Sequence, residues 1–136
     1  KKSGVLYGQH FHKAWNPDLP LFVGEGGIDA LALSQMGCGS NVVSTLGARV
    51  GDEQIRLLLH VRPKVVLAFD GDKDGVRATH RVGDKLTGWG RRDVFVADRY
   101  PEWAHDPAEL MKEGSPEEVA EFISVYEPFD LWSLTH

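Results

Sequence analysis

The stretch that most restricts the fold is Lys64 to Phe69, where Val65, Val66, Leu67, Ala68 and Phe69 are apolar without a break. Such a run is too short for a membrane span and lacks the alternation of a strand with one wet face. It suits a parallel strand covered on both sides by helices. The run closes abruptly in Asp70-Gly71-Asp72-Lys73-Asp74-Gly75, so carboxylates crowd where the strand ends.

The neighbouring segments supply the rest of such a sheet. Leu19 to Val23 is a second buried strand, with Pro17 and Pro20 at its start and Gly24 at its end. Ile28 to Met36 carries Ile28, Leu31 and Ala32 at helical spacing and stops at Gly37. Asn41 to Ser44 reads as a strand, Thr45 to Gly51 as a loop, and Asp52 to about His60 as a helix with Ile55, Leu58 and Leu59 on one face. A helix from about Val76 to Leu86 and a strand from Asp93 to Ala97 follow. This alternation predicts an α/β fold: a central parallel sheet of about four strands, flanked by helices and joined by right-handed crossovers.

After Tyr100 the pattern turns helical. Asp106 to Lys112 predicts a short helix. Ser115 as N-cap, Pro116 at the first position and Glu118 completing a capping box predict another, running to about Tyr126 before Pro128. The expected division is a flanking linker over 1–18, a core over 19–100 and a helical C-terminal extension over 101–136. The opening Lys1 reads as the start of a domain within a longer protein.

Composition narrows the chemistry. With 15 basic against 20 acidic residues the chain carries a formal charge of −5, unlike proteins that coat nucleic-acid phosphates directly. Contact with nucleic acid then requires bridging cations or a partner domain. Cys38 is the only cysteine, which excludes an internal disulfide and a cysteine-rich zinc site and fits a small buried thiol. No apolar stretch approaches the roughly 18 residues of a membrane span, so no membrane partner and a cytoplasmic location are expected.

In open parallel sheets ligands bind at the carboxyl ends of strands. Two such ends carry acids here, Glu25 in Gly24-Glu25-Gly26-Gly27 and Asp70 with Asp72 after the central strand. Mg²⁺ suits them, because it takes one or two carboxylates and completes its shell from water and phosphate. A second ion reached by Glu25 would give a two-metal clamp for displacement at phosphorus. Asp70 to Gly75 also fits the first six positions of a calcium-binding EF-hand loop. The bidentate Glu required at position twelve is Arg81 here, and a strand rather than a helix precedes the loop.

Phe22 to Ala30 resembles the E-G-x-x-D-A/V segment of Toprim domains, and Lys64 to Gly75 resembles their strand ending in D-G-D-x-x-G. Ser44-Thr45-Leu46-Gly47-Ala48 resembles the S-L-G-T-A loop of bacterial DnaG-type primases. Asp106-Pro107-Ala108-Glu109-Leu110 with Lys112-Glu113-Gly114 resembles their D-P-D-x-L…K-E-G segment. Four segments in family order cover roughly residues 20 to 126.

The resemblance implies a Toprim fold and nucleotidyl transfer, the synthesis of RNA primers on DNA. It implies Glu25, Asp70 and Asp72 as catalytic acids and Mg²⁺ or Mn²⁺ ligands, with Asp29 and Asp106 as outer members. Ala108 stands where primases carry the second Asp of D-P-D, which removes one ligand. Arg49, Lys73 and Arg77 are the expected phosphate contacts, and Arg81 shares a helix face with Arg77. The partners implied are a DNA template, nucleoside triphosphates, flanking domains of the parent protein and a replicative helicase. Alternatives within the family are a nuclease and a non-catalytic RecR-like nucleic-acid-binding module. A topoisomerase needs a nucleophilic tyrosine, and Tyr7, Tyr100 and Tyr126 stand in no such context. The four tryptophans read as core or domain-contact residues, and His10 with His12 as a weak metal pair lacking a third ligand.

Overall fold

The computed structural model describes residues 6–47 and 49–136, with the backbone alone at His10 and Phe11. Lys1, Ala48 and the side chain of His10, all touched on above, lie outside it. Four parallel strands form as expected, each with every residue or all but one buried: β1 (Leu21–Gly24), β2 (Val42–Ser44), β3 (Val65–Leu67) and β4 (Val94–Val96). Phe22 lies beside Val42 on one side and Val66 on the other, and Val66 lies beside Phe95. Strand β3 is therefore central, which is why it shows no polar face.

Alternate side chains leave the sheet on opposite sides. Leu21, Val23, Val65 and Leu67 meet Ile55 and Leu58 of α2 (Asp52–Leu59) and Val82 and Leu86 of α3 (Lys73–Gly88). Phe22 and Val66 meet Ala30 and Leu33 of α1 (Gly27–Leu33), Leu110 of α4 (Pro107–Glu113) and Phe122 of α5 (Pro116–Ser124). At about 1.5–3 kcal/mol for each buried large apolar side chain, these two layers hold the sheet. Arg91, only 7% exposed, donates to the carbonyls of Leu58, Leu59, Val61 and Pro63, satisfying acceptors that the end of α2 leaves open.

The structure adds to the expected picture in three places. Residues 127 and 128, expected just past the end of a helix and in no strand, form β5 (Glu127–Pro128), which pairs antiparallel with β4 and makes the sheet five-stranded in the order β2-β1-β3-β4-β5. A two-residue strand containing proline leaves no periodic signal, and an edge is where proline is tolerated. Then α6 (Phe129–Trp132) turns Phe129 and Trp132 into the core. Phe129 lies so close to α3 that a Cβ on Gly83 would come within 2.2 Å of its ring, which accounts for a glycine inside a helix. Finally, α1 stops at Leu33 and continues as a π turn over Ser34–Cys38, with Gly37 at φ 134°.

The segment read as a flanking linker is tied to the sheet: Leu6 is buried, and Tyr7 exchanges two backbone hydrogen bonds with Ser44 at 2.8 and 2.9 Å. Cys38 is a free, half-buried thiol whose burial pushes its pKa up to about 12. Among the described residues no helix is long and apolar enough to cross a membrane.

Candidate metal centre

Strands β1 and β3 are neighbours and run the same way, so their acidic ends emerge side by side. The loop after β2 anchors the first. Thr45 N–H donates to the Gly24 carbonyl at 3.0 Å, and the Glu25 carbonyl accepts from Gly47 N–H at 2.7 Å and from Ser44 Oγ at 2.9 Å. Leu46 takes φ +60°, uncommon for a non-glycine residue, with its N–H on Ser44 Oγ at 3.0 Å. With its backbone fixed, Glu25 turns its side chain to β3, where Oε1 accepts the Asp70 N–H at 2.9 Å.

Asp70 is held on three successive residues. Besides its own N–H on Glu25, the Phe69 carbonyl accepts the Tyr100 hydroxyl at 2.9 Å, and Gly71 N–H donates to the His105 carbonyl at 2.7 Å. Asp72 caps α3, its Oδ1 accepting from Gly75 N–H at 2.8 Å. The turn is so tight that a Cβ on Gly75 would fall 1.9 Å from the Asp70 carbonyl oxygen. Gly75→Ala is therefore expected to cost about 2–4 kcal/mol of stability and to weaken Mn²⁺ binding at least about tenfold. Urea unfolding and Mn²⁺ titration of the same preparation check both effects.

Asp29 and Asp106 complete the cluster from the other side. Asp29 Oδ1 accepts the Ala108 N–H at 3.2 Å, and Asp106 caps α4 through Glu109 N–H at 2.7 Å. Glu25, Asp29 and Asp70 line a cavity of about 340 Å³ together with Gly26, Gly27, Leu46 and Gly47. Asp70 also faces a second cavity, of about 440 Å³, walled by Tyr100, His105 and Trp132 among others. A larger cavity of about 480 Å³ lies against Leu6, Trp15, Leu57 and Pro63 and has no carboxylate in its lining. Volume and chemistry point to different places, and the acids decide.

The carboxylates of the cluster are partly buried and oppose one another's ionisation. Burial, reinforced by Glu25, Asp29, Asp106 and Asp72, pushes the Asp70 pKa up to about 8. Burial also raises Glu25, opposed by the Asp70 N–H and aided by Asp72, Asp29 and Asp74. Asp29 is raised by burial and by Asp106, against the pull of the Ala108 N–H. The Asp70 Oδ1 atom is buried with no hydrogen-bond partner. An orphaned buried oxygen among converging carboxylates fits a hard divalent ion.

All five acids predicted from the sequence thus come together. The basic candidates differ among themselves. Arg77 is exposed and paired with Asp74 at 2.8 Å. Arg81 ties α3 to the Val50 carbonyl and to Asp52. Lys73 and Arg49 are exposed and form no ion pair among the described residues. Sequence reasoning did not single out Tyr100 or the His105 carbonyl. Tyr100 precedes a proline where the periodic pattern ends, and a main-chain acceptor leaves no residue-type signal.

With this geometry in view, comparison with known proteins is informative. A family model described as Toprim-like matches residues 22–111. The DNA primase of Helicobacter pylori is 31% identical over 124 residues, covering 90% of this chain and 22% of that protein. A DNA primase domain from Pseudomonas aeruginosa superposes with a TM-score of 0.75 at 29% identity, over 98% of this chain and 42% of the other. The DnaG primase catalytic domain bound to ssDNA superposes with a TM-score of 0.74 at 26% identity, over 99% and 44%. The chain therefore spans under a quarter of that curated relative's length and under half of these solved domains.

Proposed function

The chain belongs to the Toprim-like family, and from that premise we propose that it is the metal-holding part of a DNA primase, joining nucleotides into an RNA primer on a DNA template. The observation that carries this reading is the convergence of Glu25, Asp70 and Asp72 at two adjacent strand ends, with Asp70 raised to a pKa of about 8.

Asp70 and Asp72 are the ligands of Mg²⁺ or Mn²⁺ in this reading, Glu25 is a ligand or proton acceptor beside them, and Asp29 and Asp106 tune the charge from outside. The bound ion supplies positive charge against the attacked phosphorus and the departing pyrophosphate of a nucleoside triphosphate. The chain's own contribution is positional. The clamp on Phe69, Asp70 and Gly71 fixes the carboxylate before substrate arrives, so little reorganisation is needed at the moment of reaction. Arg49 and Lys73 are the phosphate contacts in this reading, both exposed. Arg77 must first leave Asp74, an exposed pairing that costs little to break. Ala108, in place of a carboxylate, gives the cluster one ligand fewer on the α4 side.

Flanking domains of the parent protein bring the template surface that a chain of net charge −5 does not itself provide, and a replicative helicase is a partner in the same reading. Cytoplasmic residence belongs to it as well. The test is primer synthesis by the full protein on single-stranded DNA with nucleoside triphosphates and Mg²⁺ or Mn²⁺. Metal-dependent incorporation is expected. Cleavage of labelled DNA without triphosphates, with no incorporation, would replace this reading with a nuclease.

A further inference from the structure

A second group of ligand-type side chains lies where the C-terminal residues return to β4, and two of its members, Asp98 and His136, line the cavity of about 440 Å³ that Asp70 also faces. Asp98, just past β4, Glu127 on β5 and His136 each offer one ligand atom, and these atoms all lie within 4.8 Å of one another. The orientation of His136 is what makes the group unusual. Its Nδ1 faces the Trp132 carbonyl at 2.8 Å, and a carbonyl can only accept, so this nitrogen carries the hydrogen. The other ring nitrogen, Nε2, faces Asp98 Oδ2 at 3.3 Å.

With a third ligand atom from Glu127 within 4.8 Å, the three groups are close enough to share one cation. No ion pair among the described residues involves Glu127. The nearby Lys64 amine sits over the Phe95 and Tyr126 rings, and Arg99 pairs with Glu121.

We propose that Asp98, Glu127 and His136 form a binding site for a divalent transition-metal ion of the Zn²⁺ class, separate from the Mg²⁺ or Mn²⁺ cluster. The donor set suits it: one imidazole nitrogen and two carboxylates, with a fourth position left for water. With bonds of about 2.0–2.2 Å, a tetrahedral centre holds neighbouring ligand atoms about 3.3–3.6 Å apart. Asp98 and His136 already stand at 3.3 Å, so only Glu127 needs to close in. The outer contacts are also in place. The Trp132 carbonyl fixes the imidazole, and Trp132 Nε1 donates to Asp98 Oδ2 at 2.9 Å. Trp132 is buried and stacks on His136 with ring centres 4.5 Å apart and planes 9° apart, so the histidine has a rigid backing. Asp98 and His136 side chains are 35% and 36% exposed, which leaves a way in for the ion. Such an ion would pin the C-terminal turn to the β4–β5 edge.

The test uses Co²⁺ as a visible substitute for Zn²⁺, in the full chain carrying Asp70→Asn and Asp72→Asn, which removes two of the five carboxylates of the acidic cluster. One Co²⁺ per chain is expected, with the intense d–d absorption of a tetrahedral site, displaced by Zn²⁺. His136→Ala should weaken binding at least tenfold with an unchanged circular dichroism spectrum, and Glu127→Gln should weaken it less. No Co²⁺ binding in this background, or binding unaffected by His136→Ala, overturns the site. Because the background lacks Asp70 and Asp72 and the readout is Co²⁺ absorption, neither outcome bears on primer synthesis.

Discussion

Asp70→Asn is expected to reduce primer synthesis by the full protein at least about 1,000-fold, equivalent to about 4 kcal/mol in the barrier, while making the metal-free chain more stable at high pH. Both effects follow from one observation. Asp70 sits where burial and four neighbouring carboxylates disfavour its charge, and the chain still holds it rigidly through Glu25, Tyr100 and His105. Asparagine matches its shape and keeps an acceptor oxygen but cannot ionise. It therefore removes the proposed anionic ligand and, with it, the repulsion. Near pH 9, where the wild-type carboxyl is charged, the variant should melt several degrees higher. Below about pH 4, where Asp70 is protonated in the folded and the unfolded chain alike, the two melting curves should converge. Thermal melts in chelator at both pH values, with primer synthesis measured on the same preparations, check this. Equal activity would remove Asp70 from the chemistry. Equal melting at pH 9 would mean that its charge is better solvated than the structure implies.

Such a trade of stability for a reactive site explains which parts of the molecule were legible in the sequence. The order of strands and helices could be read because each strand from β1 to β4 is a short apolar run bounded by glycine, proline or charge. Helix α5 could be read from Ser115 to Glu118 because its capping box is a local chemical pattern, and both of its hydrogen bonds are present. The acids could be read because strand ends in a parallel sheet are where ligands gather. Nothing local marks β5 or α6. They form because β4 offers an open edge and Gly83 leaves room for Phe129, both properties of the assembled fold. The clamp on Asp70 was hidden for a related reason. It depends on a tyrosine hydroxyl and a main-chain carbonyl from a loop some thirty residues away, reached only after β4 is in place.

Binding of Mg²⁺ or Mn²⁺ should eject about one proton per ion at pH 7, and this release should fade to about one-tenth of a proton at pH 9. With a pKa of about 8 in the folded metal-free chain, Asp70 is mostly protonated at neutral pH and must lose that proton to become a ligand. Apparent affinity should accordingly rise close to tenfold per pH unit below about pH 7.5 and level off above pH 9. The sign for stability runs the same way. The folded pKa lies above the ordinary value of 3.8, so the folded chain holds the proton more tightly than the unfolded one. That stabilising contribution is complete below about pH 4 and is lost as pH climbs through about 8, the range in which bound metal should restore it. Glu25 and Asp29, also raised by burial, steepen the loss in its lower part. Calorimetric titration of Mn²⁺ in two buffers of different ionisation enthalpy measures the released protons directly. A proton count near zero at pH 7 would mean that the cluster is already ionised, and the carboxylates would then have to be better separated or better hydrated than their convergence around the buried Asp70 oxygen allows.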